Sequence, residues 1–218
     1  MAHRYSIAPH LEYLNVPFAQ FAASRPEFDA FGVAGFIFVH SAPPTGGHPP
    51  PRLLLIQRAL TDSMPGCWEG PGGAAEPDED QTLLDGVVRE VAEETGLHVS
   101  RIVELSSVDV RYHERRKIRI AKYSFIVEVH EATRCSPDGG LEIVPPEQIP
   151  VRLEPTEHSA FDWAAEEDIR SSIETGHGRY KFWPSIAGYP APDVLRAFLS
   201  LRQGERSLVN KVAPMPDK

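Results

Sequence analysis

Three glutamates, Glu90, Glu93 and Glu94, stand at i, i+3 and i+4 in the segment Arg89-Glu90-Val91-Ala92-Glu93-Glu94-Thr95-Gly96-Leu97. On a helix turning about 100° per residue these positions share an arc of about 100°, so the three carboxylates converge. Such a group is repulsive unless a cation sits within it. An all-oxygen cluster is what a hard divalent ion such as Mg²⁺ or Mn²⁺ selects. A glutamate-rich helix standing alone is ordinarily a solvated face. Here it follows Trp68-Glu69-Gly70-Pro71-Gly72-Gly73 and a short acidic linker, and this combination favours metal binding over the solvated face.

Several elements must hold these side chains in place. The spacing predicts a helix over residues 80–95, with Leu84, Val88 and Val91 on a packing stripe away from the carboxylates and Gly96 at its C-terminus. Residues 31–39 and 52–58 are β-branched, aromatic or aliphatic runs that read as two strands. Between them, residues 41–51 hold five prolines and two glycines and form a loop. Two more strands are expected at 102–110 and 117–129, joined by the charged turn 111–116, then a loop at 134–150. A last strand at 158–164 leads into an acidic helix at 165–175. A C-terminal helix at 191–202 turns Val194, Leu195, Phe198 and Leu201 inward. Residues 1–30, with apolar positions broken by Pro9, Pro17 and Pro26, read as a leading arm or lone strand. Strands on both sides of the acidic helix make a mixed α/β sandwich. The chain divides into an N-terminal arm (1–30), a single domain (31–203) and a C-terminal tail (204–218).

Composition bounds the function. A chain of 218 residues with 41% apolar and 24% charged residues is an ordinary globular chain. A net charge of −9 argues against a nucleic-acid polymer as partner, because backbone binding needs a basic footprint. A small anionic substrate remains compatible if a metal and local arginines offset the field. The two cysteines, Cys67 and Cys135, do not make a disulfide framework. With no secretory signal and no window approaching 18 apolar residues, a cytoplasmic protein without a membrane partner is expected.

Arg89 to Leu97, with Gly72-Gly73, resembles the box of the Nudix superfamily: Gly, five residues, Glu, seven residues, Arg-Glu-aliphatic-x-Glu-Glu-x-Gly-aliphatic. The second half matches at every specified position. Trp68-Glu69-x-Pro71-Gly72-Gly73, with Glu76 three residues on, is similar to the lead-in that many members carry. The first half departs. Counting back from Arg89, the family's Glu and Gly fall at Gln81 and Ala75, and Gly73 lies sixteen residues before Arg89, so the loop is two residues longer. Glu79 or Asp80 is left to replace the missing acid, which in the family braces the loop or pairs with the arginine. The longer loop resembles that of fungal members.

The resemblance implies a Nudix-type α/β/α sandwich with a mixed β-sheet and the catalytic helix after the Gly-Gly loop. It implies Mg²⁺ (or Mn²⁺) held by Glu90, Glu93, Glu94 and the Gly73 carbonyl, and hydrolysis of a diphosphate linkage in a nucleoside diphosphate derivative or other organic diphosphate. Glu93 and Glu94 are then catalytic, with Arg89 ordering the loop acids. Many members take one more acid from a distant loop; Glu157 is the leading candidate, with Glu154, Glu147 and Glu142 as rivals. Arg58, Arg111 and Arg115 are candidates to hold substrate phosphates, although a basic run such as 111–119 is more often an exposed hairpin turn. Trp68, Tyr112, Phe182 and Trp183 are candidates to stack on a base, although core or surface packing is the commoner role of each. Family members are often dimers, which leaves a homodimer open. Two other classes stand against hydrolysis. An isomerase on this scaffold needs a cysteine after the loop tryptophan, whereas Cys67 precedes Trp68. A non-hydrolytic biosynthetic or ligand-binding module is the other, though it usually loses helix acids retained here.

Overall fold

In the computed structural model, residues 5–40, 50–62, 64–136, 138–182 and 193–212 are described. The chain begins with β1 (Ser6–Ile7), a 3-10 helix (Pro9–Leu14) and α1 (Phe18–Ala23). Next come β2 (Ala30–Val39), β3 (Arg52–Arg58), the two-residue β4 (Trp68–Glu69) and α2 (Leu83–Thr95). A long hairpin, β5 (Val99–His113) and β6 (Ile118–Val129), is followed by a small one, β7 (Thr133–Cys135) and β8 (Leu141–Ile143). The chain continues through β9 (His158–Ala165), α3 (Glu166–Thr175) and α4 (Asp193–Val212). No helix of the described residues is long and apolar enough to cross a membrane.

The main sheet runs β1-β5-β6-β2-β3-β4, with β9 also paired to β3. It is mixed: β1 with β5 and β2 with β6 are parallel, and the other pairs antiparallel. β2 meets β3 only near Leu53, and β4 takes the far end of β3 at Ile56 and Gln57. The Gly-Gly loop enters the opening between β2 and β3. Gly35 N–H donates to the Pro71 carbonyl, Val33 N–H to the Gly73 carbonyl, and Ala75 N–H to the Phe31 carbonyl, each at 2.9 Å. The loop is thereby tied to the centre of the sheet.

Alternation along the strands feeds two cores. Phe31, Val33 and Ile37 of β2 pack with Tyr123 and Phe125 of β6, with Leu83, Leu84, Val87 and Val91 of α2, and with Leu11, Leu14, Phe18 and Phe21 of the N-terminal segment. Phe36, Leu53 and Leu55 face the other way, onto Ile169, Tyr180, Val194, Leu195 and Phe198. The result is an α/β/α sandwich. Gly35 allows α2 to lie close: a Cβ there would sit 2.5 Å from Val91 Cγ2.

Several expectations are corrected. The helix begins at Leu83, not residue 80, because Thr82 and Asp85 form a reciprocal capping box. Asp80 therefore stays in the turn before the helix, free to fold back. The leading residues add two short helices to the two-residue strand β1, with Pro9 in the first turn of one and Pro17 at the N-cap of the other. The β5–β6 turn is confined to 114–117, so Arg111 belongs to a strand. The 134–150 loop contains the β7–β8 hairpin, and the last helix extends to Val212. Most of the proline-rich loop, Trp183 and the expected start of the last helix at 191–192 lie outside the described residues.

Candidate functional site

Arg89 is the centre of the local architecture. Its Nε and Nη2 donate to the two carboxylate oxygens of Asp80, both at 3.0 Å. Its Nη1 reaches Glu90 at 2.9 Å and Glu93 at 3.0 Å, and Nη2 also reaches the Ala74 carbonyl at 2.9 Å. Asp80 is 4% exposed and accepts the Glu76 N–H as well. Glu79 has a side chain 64% exposed and lies 3.9 Å away. Asp80, not Glu79, therefore supplies the acid missing at Gln81. Chiefly through the Asp80 hydrogen bonds, the Arg89 guanidinium is held above its ordinary range. Gly86 leaves room for this pair, because a Cβ there would stand 2.8 Å from Asp80 Oδ2.

The last turns of α2, the Gly-Gly loop, the end of β3 and the turn before β9 enclose a cleft of about 600 Å³. It is lined by Arg58, Asp62, Gly72, Gly73, Ala74, Glu90, Glu93, Glu94, Glu154 and Glu157. Glu94 is 5% exposed and accepts the Gly72 N–H on Oε2 at 2.6 Å. Burial first, then the Glu90, Glu69 and Glu157 charges, push its carboxyl up to about 8 against the Gly72 hydrogen bond. Burial also raises Glu90, with Arg89 partly offsetting it. Gly73 brings the loop against the acidic helix: a Cβ would lie 2.6 Å from Glu90 Oε2. The Gly73 carbonyl accepts the Val33 N–H, which occupies one of its two lone pairs.

On the opposite wall, the Glu157 carbonyl accepts the Ala59 N–H at 2.7 Å and the Glu154 carbonyl accepts the His158 N–H at 2.9 Å. This turn presents Glu154 and Glu157 to the cleft. Behind them His158 is 3% exposed, with Nε2 at 3.6 Å from Glu94 Oε1 and no hydrogen-bond partner on either ring nitrogen. Burial lowers its pKa and favours the neutral imidazole. Arg58 is bound by Glu69 and Asp62; burial lowers its pKa, but those carboxylates outweigh it and hold the guanidinium above its usual range.

The fold thus brings together Glu90, Glu93, Glu94, Gly73, Glu157 and Arg58, with Arg89 beneath them. It does not bring the other candidates to this cleft. Trp68 packs edge-on against Tyr180, at 5.3 Å between centroids, in the core on the other face of the sheet, and Phe182 lies in the same cluster. Arg111 and Tyr112 are exposed at the end of β5 and Arg115 is exposed in the turn beyond it. Glu142 pairs with Arg134 on the small hairpin, and Glu147 is exposed in a 3-10 helix. Sequence reasoning missed Asp62 and left His158 without a role. His158 carries no ligand spacing because its neighbour Glu94 is 64 residues away.

The donor set fits a divalent cation. Among the described residues, six carboxylates line the cleft against the one guanidinium of Arg58, and one of the six is buried. A buried carboxylate stays ionised only with a cation or sufficient hydrogen-bond donors beside it, and Glu94 has one such donor, the Gly72 N–H.

A model of the NUDIX domain matches residues 42–183. A MutT-like protein of Streptomyces ambofaciens is 36% identical over 120 residues, which cover 55% of this chain and 60% of that protein. The human m7GpppN-mRNA hydrolase NUDT17 is 40% identical over 80 residues, 34% of this chain and 24% of that protein. The matches therefore span less than two thirds of these relatives' lengths. A NUDIX hydrolase structure from Alicyclobacillus acidocaldarius aligns with a TM-score of 0.49 at 17% identity, covering 78% of this chain and 91% of that one. The family model spans well over half of the sequence, and within that span the acidic helix, its arginine and the Gly-Gly loop close on one another: the chain belongs to the NUDIX domain family.

Proposed function

We propose that the protein is a divalent-metal-dependent diphosphohydrolase that cleaves a phosphoric anhydride in a nucleoside diphosphate derivative or another small organic diphosphate. The proposal rests on the convergence of six carboxylates on one cleft, including the buried Glu94, beside a glycine loop tied to the sheet. An anionic substrate would be repelled by such a wall without a cation, and a diphosphate shares the cation that the wall requires. Glu90, Glu93 and Glu94 would hold Mg²⁺ or Mn²⁺, with the Gly73 carbonyl and Glu157 as further donors. Bound there, the metal neutralises diphosphate oxygens and lowers the pKa of water.

The chain's own residues supply the rest. Glu157, exposed on the opposite wall, would take the proton of attacking water as a general base on the carboxylate oxygen that does not hold the metal. Arg89 and Asp80 fix Glu90, Glu93 and the Ala74 carbonyl, and so set the shape of the loop. Arg58 contributes a guanidinium facing the cleft. Water adds to phosphorus, the bridging P–O bond breaks, and two phosphorylated halves leave. The name of one relative, an m7GpppN-mRNA hydrolase, supports a nucleotide derivative. A thiol-dependent isomerisation has no support from the cleft, because Cys67 is buried and is not among its lining residues.

A panel of nucleoside triphosphates, nucleotide sugars, dinucleoside polyphosphates, coenzyme A and isoprenyl diphosphates, with Mg²⁺ or Mn²⁺ in ¹⁸O-labelled water, tests this. The expected result is two phosphorylated products from at least one class, one of them carrying a single ¹⁸O, and loss of turnover with EDTA. No turnover on any class, or turnover that survives EDTA, contradicts it.

A further inference from the structure

We propose that Glu94, Glu157 and His158 form a mixed carboxylate–imidazole metal position, so that one divalent ion in the cleft takes a histidine nitrogen as a ligand. The inference rests on the metal-dependent reading above and goes beyond it by adding a donor that the acidic helix does not supply. Each of the three residues offers one donor atom, and the three atoms lie within 4.8 Å of one another. Two donors bound at about 2.1 Å to one ion stand about 3 Å apart at a right angle and about 4.2 Å apart across it. Glu94 Oε1 and His158 Nε2, at 3.6 Å, already fall in that range. Glu157 is exposed, so its side chain can turn to close the set.

Independent features aim the histidine at this point. The Gly72 N–H holds Oε2 of Glu94, while Oε1 is the oxygen nearest His158. Residues paired across a sheet share a face, and the β3–β9 register shifts between Gln57 and Arg58, so that Gln57 opposes Ala160 but Arg58 opposes His158. Without that extra residue Ser159 would oppose Arg58 and His158 would turn to the other side of the sheet. The bulge therefore puts the imidazole on the cleft side with Arg58. Once there it is buried with both ring nitrogens unpartnered, a costly arrangement that a metal bound at Nε2 would relieve at that nitrogen. A nitrogen donor is a poor match for Mg²⁺ and a better one for transition ions, which shifts preference at this position toward Mn²⁺.

Pulsed EPR of Mn²⁺ bound to the full chain tests the inference. The expected spectrum shows coupling to a directly bound nitrogen, which changes to the ¹⁵N pattern when the histidines are labelled. The chain has nine histidines, so the source is assigned with His158→Leu and the polar His158→Asn. Both are expected to lose the coupling and weaken the tightest Mn²⁺ site about ten-fold or more. Mn²⁺ bound without nitrogen coupling, or coupling that persists in either variant, overturns this inference alone. Failure of the chain to bind Mn²⁺ at all overturns it together with the metal-dependent reading. If the variants do not fold, the labelled wild-type spectrum still decides whether a histidine nitrogen is bound.

Discussion

Arg89 bonds Asp80, Glu90, Glu93 and the Ala74 carbonyl at once, so one guanidinium links the turn, the helix and the glycine loop. Asp80 is the buried end of this network and Glu79 its exposed neighbour. Asp80→Ala leaves two Arg89 donors and the Glu76 N–H without their acceptor, and is expected to cost about 2–4 kcal/mol in urea denaturation. Glu79→Ala removes only a solvated contact and is expected to stay within about 0.5 kcal/mol of wild type. Equal losses in the two variants would mean that Asp80 does not carry the pairing.

Among the elements, the glycine loop and α2 form the working pair, and Gly73 is where they meet. In Gly73→Ala the new methyl collides with the tip of Glu90 rather than with backbone, at 2.6 Å. Because a flexible side chain can move aside, stability is expected to change by less than about 1 kcal/mol. Displacing Glu90 should lower metal-dependent turnover about ten-fold or more. A fall in stability with turnover retained would contradict this placement. The helix acids were legible in the sequence because one periodic element carries them all. Asp80 against Glu79 was not, because the choice depends on where Thr82 caps the helix. His158 was not legible because a single-residue bulge in β9 decides its face. Arg111 and Arg115 look like phosphate ligands in a run of charges, yet a longer strand and a short turn leave them on the surface, outside the cleft.

The whole molecule carries a net charge of −9, and six of its carboxylates line one cleft. Without metal, Glu94 should make stability depend on pH. Its folded pKa is pushed up to about 8 from an ordinary 4.5, so the folded state binds a proton that the unfolded state releases. Stability then falls as pH rises through that window. In Glu94→Gln the neutral amide can still accept the Gly72 N–H. In EDTA at about pH 8, urea denaturation should find this variant more stable than wild type by about 1–3 kcal/mol, with the difference vanishing toward pH 4. Wild-type stability that rises between those values would contradict the assignment. The same variant gives the most direct measurement of the central claim: Mg²⁺-dependent cleavage of the best diphosphate substrate by wild type and Glu94→Gln, side by side. The predicted result is a loss of about two orders of magnitude or more in kcat/KM in a variant that remains folded; undiminished Mg²⁺-dependent cleavage by Glu94→Gln would contradict it.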